Sequence, residues 1–177
     1  MHILDIAENS TRAGATMITV QITEDRIHDA YTIDIVDNGR GMDTDTLQRA
    51  LDPFFTTKSV RRIGLGLPML HQATKIADGH FSVDSTEGIG THITASFRHS
   101  HLDRQPLGDM PGTMVALITG TPKVNFRYEH YCNGRTFVLD TREIKKELAG
   151  IPLNTPLVLN FIKHSVKEGL EEVGASN

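Results

Sequence analysis

The sequence predicts an α+β fold: a two-layer sandwich with helices on one face of a mixed sheet. Three observations carry it. Residues 16–23, 31–36, 80–85 and 91–97 alternate apolar with polar side chains, the period of a half-buried strand. "HILDIAENSTRAGA" and "GLGLPMLHQATKIADG" read as helices that stop at Gly14 and Gly79. Their order is helix, two strands, a helical and loop segment, helix, two strands, which layers helices on a sheet.

In the first helix, Ile3, Ile6, Ala7 and Ser10 supply a packed face, while Asp5 and Asn9 lie one turn apart with Arg12 three residues further on. "TMITVQIT" turns Ile18, Val20 and Ile22 to one side, and "YTIDIV" does the same with Ile33 and Ile35. Pro68 suits a first helical turn. "HFSVDS" and "THITASF", joined by "TEGIG", read as a hairpin. The Pro- and Gly-containing stretch 100–112 marks a connection between residues 1–99 and an extension over 113–177 of ββαα type. There "TMVALIT" (113–119) is expected as a strand, and Asn133-Gly134 as the turn of a following hairpin. Asp140 and Glu143 form a capping box for a helix to about Ala149. The last helix starts near Pro156, with Val158, Phe161, Ile162, Val166, Leu170 and Val173 on its inward stripe.

At 177 residues the chain can bury a real core as one domain, or as one domain with an added subdomain. A net charge of −4 argues against a nucleic-acid backbone as partner. Cys132 stands alone, so no disulfide framework is expected. No apolar run reaches membrane-span length and no signal-peptide pattern opens the chain, so the expected location is cytoplasmic, with no membrane partner. His99 and His101 have no second ligand group at zinc-like spacing and read as solvated or half-buried side chains.

Two glycine segments, "DNGRGM" and "GLGL", could each be an ordinary turn, and either alone is weak. Their combination says more. Glycines let a ligand approach the backbone, and a helix beginning at Leu67 or Pro68 aims free N–H groups at an anion. Asp37, at a strand end, can accept from an exocyclic amine. Asn9 offers a neutral oxygen to Mg²⁺, and Arg12 and Lys58 bring positive charge. Such a set suits a purine nucleotide.

The same residues resemble the ATP-binding superfamily of DNA gyrase B, the ninety-kilodalton heat-shock chaperones, sensor histidine kinases and MutL (the Bergerat fold). Its segments occur in family order: "LDIAENSTRAGA", "DNGRGM", "DPFFTTK" and "GLGL", followed by "EGIGTHITASF", over about residues 2–98. The resemblance implies ATP and Mg²⁺ as cofactors. It makes Asn9 the metal-binding residue and Asp37 the acid for the adenine amine, beside Gly39, Gly41 and Met42, with Thr91 sharing a water with that acid. It assigns Gly64, Leu65, Gly66 and Leu67 to the phosphate-meeting lid segment, and Phe54, Phe55 and Lys58 to the box that packs beside it. Gly112-Thr113 lies too far along the chain to serve the adenine hairpin.

Position 5 departs from the pattern. Hydrolysing members place a glutamate there to activate water, whereas this chain has Asp5, one methylene shorter. Two readings stay open for it: catalytic base, or polar support of metal-bound water. Arg12, "DPFFTTK" and "GLGL" resemble the kinase branch. Between Lys58 and Gly64 only "SVRRI" intervenes, where Arg61 and Arg62 are either phosphate contacts or a solvated basic loop. The Asn box begins at residue 2 of this sequence, so the phosphoacceptor is expected on a separate protein. The expected function is therefore MgATP binding with hydrolysis, or transfer of the γ-phosphoryl group to a separate protein in bacterial signalling. The alternative is a non-catalytic ATP-sensing module, and a MutL-like role stands third. A protein partner is expected through the extension, and a homodimer is admitted. "DTREIKKEL" resembles the tails of ATP-binding proteins in signalling systems linked with iron-only hydrogenases, which suggests a regulatory setting.

Overall fold

A computed structural model describes residues 2–51 and 66–176. Helix α1 (Ile3–Arg12) is followed by strands β1 (Met17–Asp25) and β2 (Ala30–Asp37), then helices α2 (Thr44–Leu51) and α3 (Gly66–Ile76). Strands β3 (His80–Thr86) and β4 (Gly90–Arg98) form the expected hairpin. Helix α4 (Met110–Gly120), strands β5 (Asn125–Cys132) and β6 (Arg135–Asp140), and helices α5 (Thr141–Glu147) and α6 (Pro156–Val173) complete the chain.

Among the described residues the strands make one six-stranded sheet in the order β3-β4-β2-β1-β5-β6. All neighbours are antiparallel except β1 and β5. Strands β4 and β5 run the same way, so the chain must return along the sheet between them, and α4 makes that crossover. The strand period sorts the side chains. Ile18, Val20, Ile22, Ile33, Ile35, Ile93, Ala95, Phe97, Phe126 and Tyr128 are buried under the helical layer, while Thr19, Thr23, Thr32 and Thr94 take the other face. Ile3, Ile6, Ala7 and Ser10 are buried on α1, as its spacing indicates.

Three details of the extension differ from expectation. Residues 113–119 are helical, within α4. Their β-branched side chains suggest a strand, but Asp109 caps the Gly112 N–H at 2.8 Å and Pro111 sits in the first turn. The buried residues Met110, Met114, Leu117 and Ile118 then recur at helical spacing, and tertiary burial overrides propensity. Phe161, assigned to the inward stripe of α6, is 61% exposed. Val158, Ile162, Val166 and Val173 take that stripe, and Gly169 lets Phe137 lie against the helix. Helix α5 ends at Glu147, short of Ala149, which adopts φ +46°. The Asn133-Gly134 turn is as expected, with φ +48° and +82°.

At the β1 terminus a buried carboxylate gathers distant parts of the chain. Glu24 Oε1 accepts from His130 Nε2 at 2.9 Å and from the Ser176 N–H at 2.8 Å. Its Oε2 accepts from the Ser176 hydroxyl at 2.7 Å and His99 Nε2 at 3.1 Å. Among the described residues, no helix is long and apolar enough to cross a membrane.

Candidate functional site

At the opposite end of the sheet, α1, the β2 terminus, α2, α3 and β4 enclose a cavity of about 170 Å³. Antiparallel register sets Asp37 beside Thr91, and Thr91 beside Ser85 on the next strand. Thus three polar side chains from three adjacent strands meet at one depth. Strand period turns them inward together with Ile93, which lines the wall.

Asp37 is buried at 8% exposure and held on both oxygens. Oδ1 accepts the Gly39 N–H at 2.9 Å, which closes a turn, and Oδ2 accepts the Ser10 hydroxyl at 2.5 Å. Ser10 thus clamps α1 to the end of β2. Asn38 adds a second clamp: its amide oxygen accepts the N–H groups of Thr16 and Met17, each at 2.9 Å. Ser85 Oγ donates to the Gly90 carbonyl at 3.1 Å, accepts the Met42 N–H at 2.9 Å and lies 3.0 Å from Thr91 Oγ1. A hydroxyl has one proton, so Thr91 is the donor in that last bond, and the lone pairs of its own oxygen are available to a ligand or water.

Two glycines bring the floor this close. Gly41 has φ +64°, and a Cβ there would stand 2.0 Å from the Thr86 carbonyl oxygen. Gly90 has φ +142°, and its Cβ would stand 2.0 Å from the Asp37 carbonyl oxygen. We predict that Gly90→Ala destabilises the fold by about 3 kcal/mol and spreads β4 from β2 at Asp37. Urea titration checks the stability, and wild-type stability would refute the close approach.

On the helical wall, Asn9 and Arg12 line the cavity. Arg12 Nη1 donates to Asn9 Oδ1 and Nη2 to Glu8 Oε2, both at 3.0 Å. Arg40, Gly41, Met42, Thr46, Ala50 and Leu67 complete much of the lining. Gly39 stands behind the floor, its Cβ position 3.1 Å from Ala13 Cβ. Asp5 lies outside the lining, with its side chain 57% exposed and Oδ2 3.4 Å from His2 Nδ1. Gly66 opens α3, and its Cβ position is 3.0 Å from Asp5 Cβ. Phe54, Phe55, Lys58, Arg61, Arg62, Gly64 and Leu65 lie outside the described residues.

The cavity therefore brings together Asn9, Arg12, Asp37, Gly41, Met42, Leu67 and Thr91 from five segments of the chain. Among the contributors that sequence reasoning missed are two hydroxyls. Ser10 reads as part of the packed face; the signal was a hydroxyl on an apolar stripe directly after Asn9. Ser85 could have been found from hairpin pairing, which sets it opposite Thr91. A site of this composition has an acceptor floor, apolar walls and a polar rim of amide and guanidinium, which suits a flat base carrying a charged tail.

Residues 2–101, from α1 through β4, match the family described as "Histidine kinase-, DNA gyrase B-, and HSP90-like ATPase". Sporulation kinase E of Bacillus subtilis (strain 168) is 35% identical over 94 residues, which cover 52% of this chain and 12% of that protein. Sensor histidine kinase ZraS of Escherichia coli (strain K12) is 29% identical over 92 residues, 52% of this chain and 20% of that protein. DNA mismatch repair protein MutL of Nostoc sp. (strain PCC 7120 / SAG 25.82 / UTEX 2576) is 25% identical over 123 residues, 65% of this chain and 21% of that protein. The matched stretch thus spans about a fifth or less of each of these relatives.

Proposed function

The chain belongs to the histidine kinase-, DNA gyrase B- and HSP90-like ATPases, and from that membership we propose that it binds MgATP in the cavity between α1 and the β2 end. In this reading it passes the γ-phosphoryl group to water or to a separate signalling protein. The observation that carries the proposal is the convergence of Asp37, Thr91, Asn9 and Arg12 on one cavity. Asp37, already oriented by Ser10 and Gly39, accepts from the adenine amine. Thr91 holds a water beside it. Ile6, Met42, Ala50 and Ile93 enclose the ring.

The residues present fit a magnesium ion. Asn9 has a neutral amide oxygen on the cavity wall, and its partner Arg12 is a half-exposed side chain able to turn towards phosphate. Magnesium, when bound, neutralises phosphate charge as the leaving group departs. Arg12 supplies further positive charge, and Lys58, outside the described residues, is assigned the same role. Asn9→Ala should weaken MgATP about tenfold and leave metal-free ATP nearly unchanged, as read by calorimetry. Equal losses in the two titrations would move the metal elsewhere.

One observation favours a second reading. Asp5, the candidate base, is 57% exposed and outside the cavity lining. A nucleotide-sensing module needs the pocket without the base and acts through different affinities of two states. Phosphate release from MgATP, measured beside an Asp5→Asn variant, separates the readings. Release that disappears in the variant makes Asp5 the base. No release from protein that binds ATP, with its signalling partner supplied, leaves the sensor.

A further inference from the structure

Arg12 lines a second cavity as well as the first. On the far side of α1, a groove of about 210 Å³ opens between Glu8, Thr11 and Arg12 and the last turn of α4, where Ala116, Leu117, Gly120 and Thr121 form the opposite wall. Helix α4 belongs to the stretch beyond the matched residues 2–101, so this groove joins the nucleotide-binding part to the C-terminal extension.

The groove's negative groups are balanced by Arg12 alone among the described lining residues. The C-terminal end of α4 carries the negative end of its macrodipole, and its last turn contains no basic side chain. Gly120 leaves backbone open there: a Cβ at that position would meet nothing within 4 Å. Opposite stands the Glu8 carboxylate. The hydroxyls of Thr11 and Thr121 are turned to the Glu8 and Leu117 carbonyls, so both donate inside their own helices. Among the described lining residues the one cation is Arg12, whose guanidinium spans the two cavities. Nη1 bonds Asn9 in the first, and Nη2 bonds Glu8 in the second.

We propose that the α1–α4 groove is a docking site for an arginine side chain of a partner protein, opened by nucleotide through Arg12. This rests on the reading of the first cavity as a MgATP site. A metal at Asn9 repels the guanidinium from that oxygen, and the phosphates attract it inward. Glu8 then loses its counter-charge and faces the end of α4 alone. A planar guanidinium from outside can take both carboxylate oxygens and replace Arg12. A basic partner is therefore selected by charge, and nucleotide and partner each strengthen the binding of the other.

The probe is N-acetyl-arginine amide, titrated into the full chain and followed by amide NMR at Thr11, Gly120 and Thr121. The Mg²⁺ complex of a non-hydrolysable ATP analogue is absent in one series and saturating in the other. The expected result is saturable shifts at those three amides and an affinity about fivefold higher with nucleotide. Glu8→Gln should remove both the shifts and the enhancement. Shifts that are absent, equal in the two series or unaffected by Glu8→Gln overturn the inference. The analogue's own titration, read at Gly41, keeps the two levels apart. Failure there sinks the MgATP reading as well, whereas binding at Gly41 with an unchanged arginine affinity sinks the groove alone.

Discussion

Asp37→Asn is expected to lower MgATP affinity at least about 150-fold, close to abolishing binding in a calorimetric titration. That factor is about 3 kcal/mol, the upper range for a hydrogen bond to a charged group lost in a buried site. The geometry explains why an isosteric change costs so much. Both oxygens of Asp37 already accept, one from Gly39 and one from Ser10. An asparagine must turn its NH₂ towards one of those donors or towards the adenine amine, which is itself a donor. With the NH₂ towards Gly39 or adenine, two donors face each other. With it towards Ser10, the hydroxyl can turn its proton to the Ile6 carbonyl 3.3 Å away, but one amide oxygen must then serve both Gly39 and the adenine amine. Shape and volume are kept, so the variant should remain folded, and its melting curve provides the control. Unchanged affinity would remove adenine from this floor.

Glu24→Ala is expected to destabilise the protein by about 3–5 kcal/mol without touching the cavity beside Asp37. His130, at 0% exposure, would keep its Nε2–H and lose the acceptor 2.9 Å away. Ser176 would lose both the bonds that pin the C-terminal residues to the end of β1. Titration offers a second test at the same residue. Burial alone raises the Glu24 pKa, but the bonds from His130, Ser176 and His99 outweigh it and hold the group at about 2, against 4.5 for an unperturbed glutamate. A folded-state pKa below the unfolded one means that the unfolded chain binds the proton first. The contribution is complete above pH 4.5 and disappears as pH falls through about 2. It amounts to about 3 kcal/mol. In urea titrations, the gap between wild type and Glu24→Gln should be wide at pH 7 and close steadily below pH 4.5. A gap that stays constant with pH would contradict the role given to the carboxylate.

Both predictions concern carboxylates at opposite ends of one sheet, yet only Asp37 was legible in the sequence. It stands in a short motif beside two glycines, where local spacing and chemistry coincide. Glu24 ends an alternating strand, on the inward face, where a charge reads as an exception. Its partners lie at positions 99, 130 and 176, and no local pattern links them. Long-range pairing limited the fold reading in the same way. The alternation of β1, β2 and β4 is visible from a few residues each. The parallel register of Met17 with Asn125 joins segments more than half the chain apart, and depends on α4 as crossover. That helix read as a strand because a short run of Val, Ile and Thr carries no period of its own. Ser10 was legible as buried, but its reason for being a serine became visible only with Asp37 beside it.

Amide NMR of the full chain, titrated with the Mg²⁺ complex of a non-hydrolysable ATP analogue, tests the site assignment most directly. Saturable shifts are predicted at Asn9, Gly39, Gly41 and Thr91 that share one dissociation constant, while Thr32 and Thr94 on the outer sheet face stay in place. Asp37→Asn is predicted to remove all four shifts together. No saturable change at those residues, or the same changes in the variant, would contradict the assignment.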